Sequence, residues 1–177
     1  MRRLRLVLAG LAALLGTSVQ TVAAAEEKGC EGLLWPLATE LSWMNAAGAE
    51  KVASGATLAA IPPGKAIEVA LLPLAEVTFP GKPTRTPKPD DDQTFGGVVH
   101  VTGTLAATHY QVTISDHGWV DVVQNGAPLE ATGHTGSHDC KGIRKSVRFE
   151  VAPGPFSIQV SGTRSPSIRV VIRPAAD

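Results

Sequence analysis

Between residues 108 and 172 the chain alternates apolar and polar side chains with a period of two, and nothing else in it narrows the fold as far. Tyr110, Val112 and Ile114 alternate with Gln111, Thr113 and Ser115. Ile143, Lys145, Val147, Phe149 and Val151 alternate with Arg144, Ser146, Arg148 and Glu150. Phe156, Ile158 and Val160 alternate with Ser157, Gln159 and Ser161, and Ile168, Val170 and Ile172 with Arg169, Val171 and Arg173. Successive side chains of a strand point to opposite faces, so each segment predicts a strand with one buried and one solvated side. Turn chemistry separates these runs: Asp116-His117-Gly118, Asn125-Gly126, Pro153-Gly154-Pro155 and residues 162–166.

Further strands are expected at residues 66–72, 74–79, 95–101 and 119–124, with a weaker one at 56–61. About eight strands with regular turns predict a mainly β fold, an antiparallel β-sandwich of jelly-roll-like or immunoglobulin-like type. One short N-terminal helix is expected within residues 31–44, where Leu33, Leu34, Leu37, Leu41 and Met44 approach helical spacing. Pro36 suits its first position and Gly48 its end, with Trp35 and Trp43 packing it onto the domain. Residues 80–92 hold four prolines and no aliphatic side chain, which predicts a long exposed loop. Its Asp90-Asp91-Asp92 lacks the alternate-position ligand spacing of a calcium loop and reads as a solvated tip.

The N-terminus reads as an export signal. Arg2, Arg3 and Arg5 precede an apolar run at residues 6–15, and Ala23-Ala24-Ala25 fits small-residue cleavage, so residues 1–25 are expected to be a signal peptide. The run is shorter than the roughly 20 residues that span a bilayer, and no later segment reads as a span. Residues 26–177 then form a single domain in the periplasm or outside the cell. Cys30 and Cys140 are the only cysteines, and in an oxidising compartment such a pair is expected to bridge.

Charge is unevenly spread. Residues 26–177 carry thirteen basic and sixteen acidic side chains, a net −3, with no expectation of a nucleic-acid partner. From Lys141 onward the balance is seven basic to two acidic. Arg144, Arg148, Arg169 and Arg173 all fall in the polar phase of predicted strands. They are expected to share the solvent side of a sheet, either as a face protected against edge pairing or as a docking surface. An anionic glycan, a lipid headgroup or an acidic envelope protein would be the matching partner.

A second candidate is His134-Thr135-Gly136-Ser137-His138-Asp139, followed by Cys140. His134, His138 and Asp139, with His117 or Asp116 from a neighbouring loop, could supply the nitrogen and oxygen ligands of a metal site. A plain Gly- and Thr-rich loop tethered by a disulfide explains the same composition. There is no G-x-S-x-G elbow, H-E-x-x-H pair or phosphate-binding glycine loop, and no cofactor is expected.

The run from Thr108 to Gly126 resembles extracellular β-sandwich modules appended to secreted hydrolases, and the run from Phe149 to Gly162 continues that likeness. Cys30, Trp35-Pro36-Leu37-Ala38-Thr39-Glu40 and the run Cys140 to Phe149 are similar to a family of small exported proteobacterial proteins. Its members sometimes carry the label homogentisate 1,2-dioxygenase, an enzyme that is a longer cupin with a two-His, one-carboxylate iron site. The first resemblance implies the sandwich fold; the label implies metal chemistry, for which the 134–139 loop would be the seat. Two function classes follow: an exported non-catalytic binding or accessory module, and a small metal-dependent enzyme.

Overall fold

A computed structural model describes residues 29–85, 94–103 and 109–175. The expected signal peptide, the Asp90-Asp91-Asp92 tip and most of the turn before Tyr110 lie outside the described residues. The strands are β1 (Glu50–Ala53), β2 (Ala56–Leu58), β3 (Ile67–Ala70), β4 (Leu72–Pro73), β5 (Phe95–Val101) and β6 (His109–Ile114). They continue with β7 (Trp119–Gln124), β8 (Ala127–Pro128), β9 (Ala131–Gly136), β10 (Lys145–Glu150), β11 (Phe156–Thr163) and β12 (Ser167–Pro174). One helix, α1 (Ala38–Asn45), precedes them. The first sheet has the order β1-β3-β12-β6-β10-β9; the second runs β2-β5-β11-β7-β8, with β4 added to β5.

The protein is mainly β, as the alternation predicts. Tyr110, Val112, Ile114, Val147 and Phe149 from the first sheet share one hydrophobic cluster with Phe156, Ile158 and Val160 from the second. A common core drawn from two sheets is what a β-sandwich requires. The hairpin at Asn125-Gly126 has positive φ at both residues (53° and 78°), the backbone of a type I′ turn.

Four local expectations are corrected. The sheets are mixed, because β1 pairs parallel with β3 and β2 parallel with β5. Alternation reports which face a side chain occupies and carries no information about a neighbour's direction. The strand expected at residues 74–79 is absent; Leu74–Glu76 form a 3₁₀ turn after the two-residue β4, where Pro73 ends the pairing. The helix begins at Ala38, two residues after Pro36, and leaves Leu34 77% exposed. Upstream, the Leu34 N–H donates to Thr135 Oγ1 and Cys30 is bonded to Cys140, so the segment before the helix is held in a non-helical path.

The fourth correction bears on function. Gln111, Thr113 and Ser146 lie on the side of the first sheet expected to be solvated, yet all three are buried. The N-terminal segment covers that face: Leu37 and Met44 join Ala66, Ile143 and Val171 in a second apolar cluster, with Trp35 and Leu41 packed against it. On the second sheet, Asp121, Gln159 and Ser161 are likewise buried, and Thr84 reaches Asp121 from the first part of the proline loop.

The Cys30–Cys140 disulfide is formed, with Cα atoms 4.4 Å apart and a sequence separation of 110. It pins the covering segment at its start. Closing so long a loop stabilises by up to ~4–5 kcal/mol in the chain-entropy model. Among the described residues no helix is long and apolar enough to cross a membrane.

Candidate functional site

The four arginines of the sequence reading take different partners. Arg148 and Arg173 do share a row, standing on either side of Gln111 in β10, β6 and β12. Beneath the N-terminal segment, Arg173 Nη1 donates to Glu40 Oε1 at 3.0 Å, and Gln111 Nε2 donates to the same oxygen. Glu40 is 0% exposed, so Arg173 neutralises a fully buried carboxylate. Arg148 lies over the Trp35 ring, 4.2 Å from its centroid, and its Nε donates to Gln111 Oε1 at 3.4 Å. Arg169 donates to Glu68 Oε2 at 3.1 Å and to the Met44 carbonyl at 2.6 Å, the latter at the last turn of α1. These three arginines hold the N-terminal segment and a neighbouring strand in place.

Arg144 is different. It precedes β10, and its guanidinium donates to the Ser137 carbonyl at 3.3 Å and meets His138 Nε2 at 3.0 Å. Beside it, Lys145 occupies the apolar phase of β10, at the strand end where the core opens. Its Nζ sits 4.6 Å from the centroid of Trp119 and 3.4 Å from the Gly118 carbonyl. Arg85 approaches the same indole, with Cζ 5.3 Å from the centroid. Both distances are within the ~6 Å range of cation–π attraction.

A buried carboxylate builds this corner. Asp121 is 3% exposed and accepts from Thr84 N at 3.2 Å, Gln159 Nε2 at 3.2 Å and Trp119 Nε1 at 3.0 Å. Thr84 Oγ1 also donates to it, and Trp119 Nε1 donates to Thr84 Oγ1 at 2.6 Å. One acid therefore orients the indole and fixes the residue before Arg85. Among the described residues it pairs with no cation, and Arg85, Arg144 and Lys145 form no salt bridge. Burial pushes the Lys145 ammonium below its usual proton affinity, and repulsion from Arg144 and Arg85 pushes it further.

The metal candidates are not brought together. His134 lies within β9, opposite Val147, where the sequence reading has a loop. Ladder pairing fixes its direction at the sheet edge. His138 is exposed and in contact with Arg144, Asp139 is exposed, and His117 Nδ1 lies 3.4 Å from the Gly162 carbonyl. Among the described residues no three His, Cys, Asp or Glu side chains are grouped to hold an ion. Elsewhere, His100 Nδ1 lies 2.8 Å from Ser157 Oγ across the β5–β11 ladder, the described His–Ser contact between side chains.

Sequence reasoning missed Arg85 and Lys145. Lys145 had a signal: it is the one charged residue in the apolar phase of Ile143, Val147, Phe149 and Val151. Arg85 had none, because a single arginine in a proline-rich loop has no periodicity to break. No protein-family model matches the chain, no curated protein matches it, and no solved structure matches it.

Proposed function

We propose that this chain is an exported, non-catalytic binding module that holds an anionic glycan at the corner formed by Arg85, Arg144, Lys145 and Trp119. The observation that carries this reading is the convergence of Lys145 and Arg85 on one indole, beside Arg144, with no acid pairing any of them among the described residues. Cations kept together without counter-charge oppose one another, and a bound anion relieves that repulsion. Sulfate or carboxylate groups would accept from the guanidiniums, and the partly exposed indole offers an apolar surface for a sugar ring beside them. The disulfide supports the exported reading, since such bonds persist in oxidising compartments.

The test is calorimetric titration of a sulfated oligosaccharide, a neutral oligosaccharide of equal length and anionic vesicles. The sulfated sugar should bind, and binding should weaken as salt shortens the Debye length from ~10 Å at 0.1 M to ~3 Å at 1 M. An Arg85→Ser, Arg144→Ser variant should lose that binding, while Arg148→Ser should keep it because Arg148 is stacked on Trp35. Equal binding by all three proteins, or binding of vesicles alone, would refute the glycan reading.

A further inference from the structure

The described lysines divide by what faces them. Lys51 and Lys65 each pair with a glutamate at 3.7 Å, and Lys82 and Lys141 are exposed to water. Lys145 is half-buried, and no acid pairs with it among the described residues. Its main chain is fixed from both sides, opposite Ile114 in β6 and Gly136 in β9, neither of which carries charge.

The charged groups around its amine are cations or are already engaged. Arg144 precedes it in the chain, and Arg85 reaches the same indole from the proline loop. In the adjoining turn, Asp116 accepts from the His117 N–H and from Ser165 Oγ. On β7, Asp121 accepts from Thr84, Gln159 and Trp119. His117 meets the Gly162 carbonyl, and His138 meets Arg144. Lys145 Nζ donates to the Gly118 carbonyl at 3.4 Å, a neutral acceptor. An ammonium has three donors to satisfy, whereas a free amine can serve that carbonyl and keep its lone pair. The Trp119 face attracts a cation, but Arg85 shares that attraction. Burial first, then repulsion from Arg144 and Arg85, weakens the hold of Lys145 on its proton. A desolvated lysine beside other cations is an activated nucleophile toward a carbonyl carbon.

We propose that Lys145 condenses with the aldehyde of an anionic sugar, a uronic acid with a free reducing end, and holds it as a reversible imine. The inference rests on the glycan reading of the same corner and adds a covalent step to it. Arg85 and Arg144 take the carboxylate, the indole lies beside the sugar, and the amine meets the carbonyl carbon. The Nζ lone pair forms the new C–N bond, and one N–H proton passes to the carbonyl oxygen, giving a carbinolamine. That oxygen then departs as water with the second N–H proton, leaving a C=N bond. Water reverses both steps, so no oxidant or reductant takes part and the sugar is retained unchanged.

The test incubates the exported protein at neutral pH with glucuronic acid and cyanoborohydride, which reduces an imine to a stable amine. Peptide mass mapping should find Lys145 labelled at least about tenfold more than Lys51, Lys65, Lys82 or Lys141, whose amines stay protonated at that pH. Glucose, which has the aldehyde without the acid, should show no such preference. Raising the pH toward the usual lysine range should erase the preference, because the other amines then lose their protons too. Methyl glucuronide has the acid without a free aldehyde; it should compete with labelling and shift the Trp119 indole N–H resonance. Lys145→Arg should keep that shift and lose the label, while Arg85→Ser, Arg144→Ser should lose both the shift and the preference. Uniform labelling, equal labelling by glucose, or an unlabelled Lys145 while methyl glucuronide still binds would overturn the covalent step and leave the glycan reading standing. Absence of both binding and label would overturn the two together.

Discussion

Three cations beneath the N-terminal segment and three at the Trp119 corner belong to the same small protein, and they are treated in opposite ways. Arg173 faces Glu40, Arg169 faces Glu68 and a helix carbonyl, and Arg148 lies on Trp35. Each has an acid or an aromatic face of its own. At the corner, Arg85 and Lys145 share a single indole, Arg144 bonds a carbonyl and an imidazole, and the one buried acid, Asp121, is occupied by neutral donors. The first arrangement is what a chain does with charges it must bury. The second leaves three cations with no salt bridge among the described residues, and burial and mutual repulsion oppose the charged form of Lys145. That difference is why the corner, and not the arginine row, carries the functional proposal.

The largest expected effect comes from breaking the compensated group. Arg173→Leu would strand the Glu40 carboxylate, which is fully buried and whose Oε2 has no hydrogen-bond partner among the described residues. A loss of about 3–5 kcal/mol in urea unfolding is expected, as for other buried pairs deprived of one member. A loss below about 1 kcal/mol would mean that Glu40 is not held as an ion by Arg173, and the contrast between the regions would weaken.

The corner should respond in the opposite direction and by less. Lys145→Gln removes a charge that burial and two arginines oppose, so stability should hold or rise slightly at neutral pH. The pH dependence has a definite sign. The folded state holds the Lys145 proton less firmly than the unfolded chain does. Between its lowered value and the ordinary lysine value, the unfolded state therefore binds more protons. Stability from this group rises with pH across that window, and the penalty is fully present below it. Urea midpoints measured through the alkaline range should show this rise in the wild type and a flatter profile in Lys145→Gln. Parallel profiles would show that Lys145 is not destabilised by its surroundings.

The sequence made the core legible residue by residue, because alternation is imposed by the pleat. Tyr110, Val112, Ile114, Val147, Phe149, Phe156, Ile158 and Val160 all fall in the shared cluster. The same alternation misread the other faces. Gln111 and Thr113 look solvated to any period-two argument, and so does Gln159. They are buried because residues distant in sequence, Glu40 and the segment up to Thr84, come to lie over them. Tertiary cover of this kind has no local signature. The candidate site was legible only in part: Arg144 was named, Lys145 was visible as a charge in an apolar phase, and Arg85 joins them only through the Asp121 hydrogen bonds. His134 was misplaced because glycines beside it suggest a loop, whereas pairing with β10 makes that stretch an edge strand.

The central claim is that the corner is destabilising by itself and is completed by an anion. It is tested most directly by the melting temperature of wild type and Lys145→Gln against a sulfated oligosaccharide at constant ionic strength. A ligand that binds only the native state raises stability by RT ln(1 + [L]/Kd), about 2.7 kcal/mol at a hundredfold excess over Kd. The wild-type melting temperature should climb with ligand concentration while that of Lys145→Gln rises much less, so that the two curves converge or cross. Parallel curves, or a wild type that does not respond, would contradict the account.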